Sequence, residues 1–70
     1  MPSPDELFID EIVKSILKKD IGLNENIFEY GANSLTAIQI VSEINQKLGR
    51  NITIKDFFEK PTKNTLLNSQ

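Results

Sequence analysis

The chain is 70 residues long, carries a formal net charge of −2, and is 39% hydrophobic and 26% charged, with neither cysteine nor histidine. A chain of this length holds one small domain, expected over residues 1–70, with a stability on the usual per-residue scale of about 5 kcal/mol. The missing residue types exclude disulfides, zinc sites built from Cys or His, and a serine nucleophile served by a histidine base; the lack of Lys/Arg clusters excludes attraction to a nucleic-acid backbone.

Ser3-Pro4-Asp5-Glu6 reads as a helix start, with a serine N-cap, proline at N1 and glutamate at N3 where a capping box and the helix dipole favour it. Phe8, Ile9, Ile12, Val13, Ile16 and Leu17 then recur at helical spacing. Lys18 and Lys19 suit a C-terminal end, and Gly22 lies just beyond, so a first helix is expected over about residues 4–19. The stretch from Asp20 to Asn33 is too long for a simple helical hairpin turn, yet Ile21, Leu23, Ile27, Phe28 and Tyr30 give it apolar anchors. A long ordered loop in so small a domain is often where function sits.

From Leu35 to Leu48 the spacing predicts a second helix, closed by Gly49 as a left-handed C-cap. Ala37, Val41, Ile44 and Leu48 share a face, flanked by Ile38 and Ile40 and opposed by Thr36, Gln39, Ser42, Glu43 and Gln46. Leu35 falls among the polar residues, with no core to enter. Beyond Gly49, Ile52-Thr53-Ile54 reads as a short extended piece and Lys55–Glu59 as one or two helical turns with Phe57 or Phe58 facing inward. Pro61 interrupts, and Thr62 can cap a last short helix through Leu66 and Leu67. The expected fold is all-α: three main helices and a short one, with a long loop between the first and second. Phe8, Ile12, Ile16, Phe28, Val41 and Ile44 are expected to be buried together.

The segment Gly31-Ala32-Asn33-Ser34-Leu35 carries the chemistry. Gly31 permits backbone geometry closed to other residues, and Asn33 tolerates the left-handed region, which together deliver Ser34 to the start of the second helix. A serine there is exposed beside free N–H groups and the positive end of the helix dipole. That setting suits a phosphate ester but gives the hydroxyl no base, so another enzyme has to install the phosphate. Taken alone, the same serine is an ordinary N-cap contributing roughly 1 kcal/mol, Phe28 and Tyr30 are loop anchors, and Leu35 is an incidental exposed leucine.

Asn26, Ile27-Phe28, Tyr30, Gly31, Ala32, Asn33 and Ser34-Leu35, followed by Pro61-Thr62 before the last helix, resemble the acyl and peptidyl carrier proteins of fatty acid, polyketide and nonribosomal peptide synthesis. The resemblance spans the whole chain. It departs from the family pattern where Ile27 replaces the first aromatic, where Tyr30 stands at a common leucine position, and in the shortness of the last helix. It implies that Ser34 takes 4′-phosphopantetheine from coenzyme A through a phosphopantetheinyl transferase, and that the arm supplies the thiol this chain lacks. Cargo then rides as a thioester, and the chain itself is not an enzyme. Leu35, Asn33, Thr36 and Gln39 are the expected partner contacts.

The partners so implied are adenylation, condensation, ketosynthase or thioesterase enzymes, met transiently by a monomer. The exposed face of the second helix has one acid, Glu43, with Lys47 nearby. That is unlike the strongly acidic face typical of fatty acid carriers, so a peptidyl carrier is the first reading. A polyketide carrier comes second, then a fatty acid carrier, and a helical adaptor with an unmodified Ser34 is the reading from another class. A helix-turn-helix DNA binder would need a basic second helix, which is missing. No apolar run is long enough to cross a bilayer and no signal or transit pattern is present, so the expected setting is the cytoplasm, away from membranes.

Overall fold

The capping signals at the start of the chain act as the sequence dictates. Ser3 Oγ accepts the Glu6 N–H at 3.1 Å and opens α1 (Pro4–Leu17). The structure, a computed structural model describing residues 3–68, continues through a 3₁₀ turn (Ile27–Tyr30), α2 (Ser34–Leu48), α3 (Ile54–Glu59) and α4 (Lys63–Asn68). No strand occurs among the described residues. The fold is all-helical, as expected, with two long helices and two of six residues each. None of the described helices is long and apolar enough to cross a membrane.

Three boundaries differ from the sequence reading. The first helix stops at Leu17 rather than near residue 19, because Lys18 turns left-handed (φ 62°) and its N–H closes on the Lys14 carbonyl at 2.8 Å. This redirects the chain so that Ile21 enters the core. The second helix starts one residue early, at Ser34. The extended piece Ile52-Thr53-Ile54 is cut short because Thr53 Oγ1 accepts the Asp56 N–H at 3.1 Å, which starts α3 at Ile54.

Every element contributes to one core. Ile9 and Val13 of α1, Ala37, Ile40, Val41 and Ile44 of α2, Phe57 of α3 and Leu66 of α4 are buried, joined by Ile21, Ile27 and Ile52 from the connections. Each large apolar side chain so buried contributes about 1.5–3 kcal/mol. The expected cluster is therefore right for Ile12, Val41 and Ile44 and wrong for Phe8, Ile16 and Phe28, which are half-buried at the margin. The apolar stripe of α1 is wider than the surface its neighbours α2 and α4 cover. On α2, Ile40 lies three residues after Ala37 and four before Ile44, so it belongs to the core face. Ile38 lies four after Ser34 and is 42% exposed.

Polar side chains fix the connections that the apolar core cannot. Asn45 pairs with both backbone groups of Ile52, each at 2.8 Å. Arg50 donates to the Leu67 carbonyl at 2.8 Å and to Asp5 at 2.9 Å, tying the end of α2 to α4 and α1. The ammonium of Lys63, itself buried, meets Asp10 of α1 at 2.5 Å.

Candidate functional site

The long loop reaches α2 through a chain of small constraints. Asn26 Oδ1 accepts the Phe28 N–H at 2.8 Å and starts the 3₁₀ turn. Ile27, fully buried, anchors the turn, and its N–H bonds to the Pro61 carbonyl at 3.0 Å. Gly31 ends the turn at φ 96°, with open space where a Cβ would stand, so glycine is required here by backbone conformation rather than by crowding. Asn64 secures the preceding stretch: its N–H meets the Leu23 carbonyl at 2.9 Å and its amide meets Asn24 at 3.0 Å.

Sequence reading missed a polar latch on the same loop. The Tyr30 hydroxyl donates to Glu25 Oε2, while Glu25 Oε1 accepts the Gly22 N–H at 2.8 Å. The Tyr30 hydrogen bond first, and then the Gly22 N–H, hold the Glu25 carboxyl below its ordinary pKa. The same bond to Glu25 pushes the Tyr30 phenol above its own. A glutamate five residues before a tyrosine is too common a pattern to have signalled this.

At the start of α2 the structure corrects the role given to Asn33. Its backbone is extended (φ −118°, ψ −176°), not left-handed, and its side chain is the helix N-cap. Asn33 Oδ1 accepts the Thr36 N–H at 2.9 Å and the Thr36 hydroxyl at 3.0 Å. Ser34 is accordingly not the cap. It is the first helical residue, exposed, and its hydroxyl has no hydrogen-bond partner among the described residues. The N–H groups of Ser34 and Leu35 likewise find no acceptor there, and no acidic residue occupies the first turn of α2. An unencumbered hydroxyl beside two free donors at the positive end of a helix can accept a phosphoryl group and hold its oxygens.

Apolar side chains stay exposed on both α2 and α3. Leu35 is 77% exposed, as predicted, and Ile38, one turn on from Ser34, adds to it. Phe58 of α3 is exposed as well and packs edge-on against Phe28 of the loop, ring centroids 6.0 Å apart. Ile38 was legible from its four-residue spacing to Ser34; Phe58 was not, because either of two adjacent phenylalanines could face in. Of the other expected contacts, Asn33 and Thr36 are joined in the cap. Thr36 is half-buried under the cap, and Gln39 lies with Glu43, Phe8 and Ile12 on a groove of about 360 Å³ between α1 and α2. No group of carboxylates among the described residues is placed to hold a metal ion.

Such a helical fold, presenting a serine at a pinned helix start with apolar side chains around it, is that of a carrier domain. The family model described as "Phosphopantetheine attachment site" matches residues 8–68, and the chain belongs to that family, with 4′-phosphopantetheine as its cofactor. Relatives include bacitracin synthase 3 of Bacillus licheniformis, 48% identical over 44 residues that make up 63% of this chain and 1% of that protein. The beauvericin nonribosomal cyclodepsipeptide synthetase of Beauveria bassiana is 33% identical over 64 residues, 91% of this chain and 2% of that one. A dimodular nonribosomal peptide synthase of Bacillus subtilis is 31% identical over 58 residues, 83% and 2% respectively. This chain thus spans only one or two per cent of these relatives' length. A solved structure of the phosphopantetheine transferase Sfp in complex with coenzyme A and a peptidyl carrier protein shares the fold, with a TM-score of 0.82 at 24% identity, covering 94% of this chain and 87% of that one.

Proposed function

We propose that Ser34 is the attachment residue and that the domain shuttles aminoacyl and peptidyl thioesters in nonribosomal peptide synthesis. The observation that carries the reading is the exposed, unbonded Ser34 hydroxyl at the start of α2, with the free N–H groups of Ser34 and Leu35 beside it. In the attachment step Ser34 Oγ bonds to the phosphorus of coenzyme A that carries the pantetheine. The pyrophosphate P–O bond breaks, 3′,5′-ADP leaves, and the serine proton passes to a base on the transferase. The positive end of α2 would favour the charge of a phosphodiester carried on Ser34. When bound, the arm supplies a terminal thiol that holds the cargo as a thioester.

The chain contributes position rather than catalysis: with no cysteine or histidine it has neither thiol nor imidazole of its own. Tethering holds cargo at about millimolar effective concentration near each partner. A phosphopantetheinyl transferase and adenylation, condensation and thioesterase enzymes are the partners of this reading, met by a monomer in the cytoplasm through Leu35, Ile38 and Phe58. The peptide synthetases among the relatives support the peptidyl pathway over the fatty acid one. The sparse charge on the outer face of α2 supports it too, and a polyketide carrier with a ketosynthase partner remains the second reading. To test it, the phosphopantetheinylated protein is incubated with a panel of adenylation enzymes, ATP and labelled amino acids. Label that stays with the protein, is released by hydroxylamine, and is absent from Ser34→Ala supports the peptidyl reading. Loading by malonyl transferases alone would replace it with the polyketide one.

A further inference from the structure

Two good N-cap residues stand side by side at the start of α2. Asn and Ser cap helices about equally well, so the chain can begin this helix in two ways. With Asn33 as cap, Oδ1 accepts the Thr36 N–H, and Ser34 sits inside the helix with its hydroxyl unbonded. With Ser34 as cap, its backbone would become extended and its Oγ would take the N–H three residues on, at Ala37. The attachment oxygen would then be engaged over the helix end, and the free donors would move from Ser34 and Leu35 to Leu35 and Thr36.

Two contacts hold the first arrangement. The Thr36 hydroxyl gives Asn33 Oδ1 a second hydrogen bond at 3.0 Å, and the Ala37 N–H is already committed to the Asn33 carbonyl at 2.9 Å. We propose that Asn33 is a positioning residue for phosphopantetheine attachment: by capping α2 together with Thr36, it keeps the Ser34 hydroxyl out of capping duty and available to the transferase. This rests on the reading of Ser34 as the attachment residue.

The test compares kcat/KM for transfer from coenzyme A by a broad-specificity phosphopantetheinyl transferase in wild type, Asn33→Ala, Asn33→Asp and Thr36→Val, with the helix start located in each by NMR. In Asn33→Ala, Ser34 takes over the cap. Its Cα and Cβ shifts move from helical to N-cap values, and loading falls about fivefold, the population factor that corresponds to a typical cap. Asn33→Asp keeps the accepting oxygen and restores both the shifts and the rate. Thr36→Val keeps the N–H but loses the hydroxyl, and loads about twofold slower, the low end of one hydrogen bond's net contribution.

A folded Asn33→Ala that loads at the wild-type rate overturns the proposal. So does an Asn33→Asp as slow as Asn33→Ala, since that marks a direct carboxamide contact with the transferase rather than a cap. Should Asn33→Ala not fold, Thr36→Val decides: an unchanged rate and helix start overturn the proposal. A wild type that loads normally in any of these cases leaves the Ser34 reading standing, whereas an unloaded wild type removes that reading and the proposal with it.

Discussion

Leu35 follows Ser34 directly and leaves 77% of its surface in water. Apolar area exposed at that level adds nothing to the fold, so a charge placed there costs the folded state little. Leu35→Glu should unfold within about 2–4 °C of wild type, since surface changes stay within ~0.5 kcal/mol. Its processing by a partner enzyme, followed as turnover of loaded carrier, should fall clearly; a large drop in melting temperature would instead place Leu35 in the packed interior. Glu25 invites a second single-residue test. Its carboxyl is held below the ordinary value by the Tyr30 hydroxyl and then the Gly22 N–H. A depressed carboxylate stabilises the fold above its ordinary pKa, and that stability is lost as pH falls through the lowered folded value. Tyr30, raised by the same bond, stabilises below its ordinary pKa and loses the effect as pH rises through the raised value. Melting temperature followed from about pH 7 down to about pH 3, across the ordinary carboxylate range, should fall less steeply for Glu25→Gln than for wild type. Identical acid limbs would show that the latch contributes nothing.

At the scale of elements, each helix start is capped by a side chain, and of the four, Ser3 and Thr62 were legible as caps in the sequence whereas Asn33 and Thr53 were not. Helix ends were harder to read. Gly49 closes α2 in the left-handed region as glycine should, but α1 ends on Lys18 in the same region, at φ 62°. A left-handed lysine costs about 1–2 kcal/mol and leaves no local signature, so the helix looked two residues longer than it is. Lys18→Gly should therefore stabilise the domain by about 1 kcal/mol and raise its melting temperature by roughly 4–8 °C. Lys18→Ala, equally strained, serves as the control, and a Lys18→Gly no more stable than that control would refute the account of the α1 terminus. The 3₁₀ turn was also unreadable in advance. Besides its local Asn26 and Gly31 caps, it is held by the Ile27 N–H reaching the Pro61 carbonyl, a partner 34 residues away that no local pattern announces. Ser34 itself was legible because the motif around it is local. The division of labour between Asn33 and Ser34 was not, since either residue suits either role.

Across the whole molecule, long-range polar contacts decide how a marginal core is held together. Lys63 is buried against Asp10 from the far end of the sequence, and Arg50 joins Asp5 to the Leu67 carbonyl. Removing Asp10 takes the partner carboxylate from the buried Lys63 ammonium, which costs more than the pair itself contributes. The start of α2, with Ser34, Leu35 and Ile38, faces outward from these joined helices. The most direct test of the central claim is an intact-mass measurement after incubation with coenzyme A, magnesium and a broad-specificity phosphopantetheinyl transferase. Wild type should gain one phosphopantetheine, located on the peptide containing Ser34, while Ser34→Ala stays folded, because Asn33 and not Ser34 caps the helix, and gains none. An unmodified wild type under conditions that load a known carrier, or a modified Ser34→Ala, would contradict the assignment.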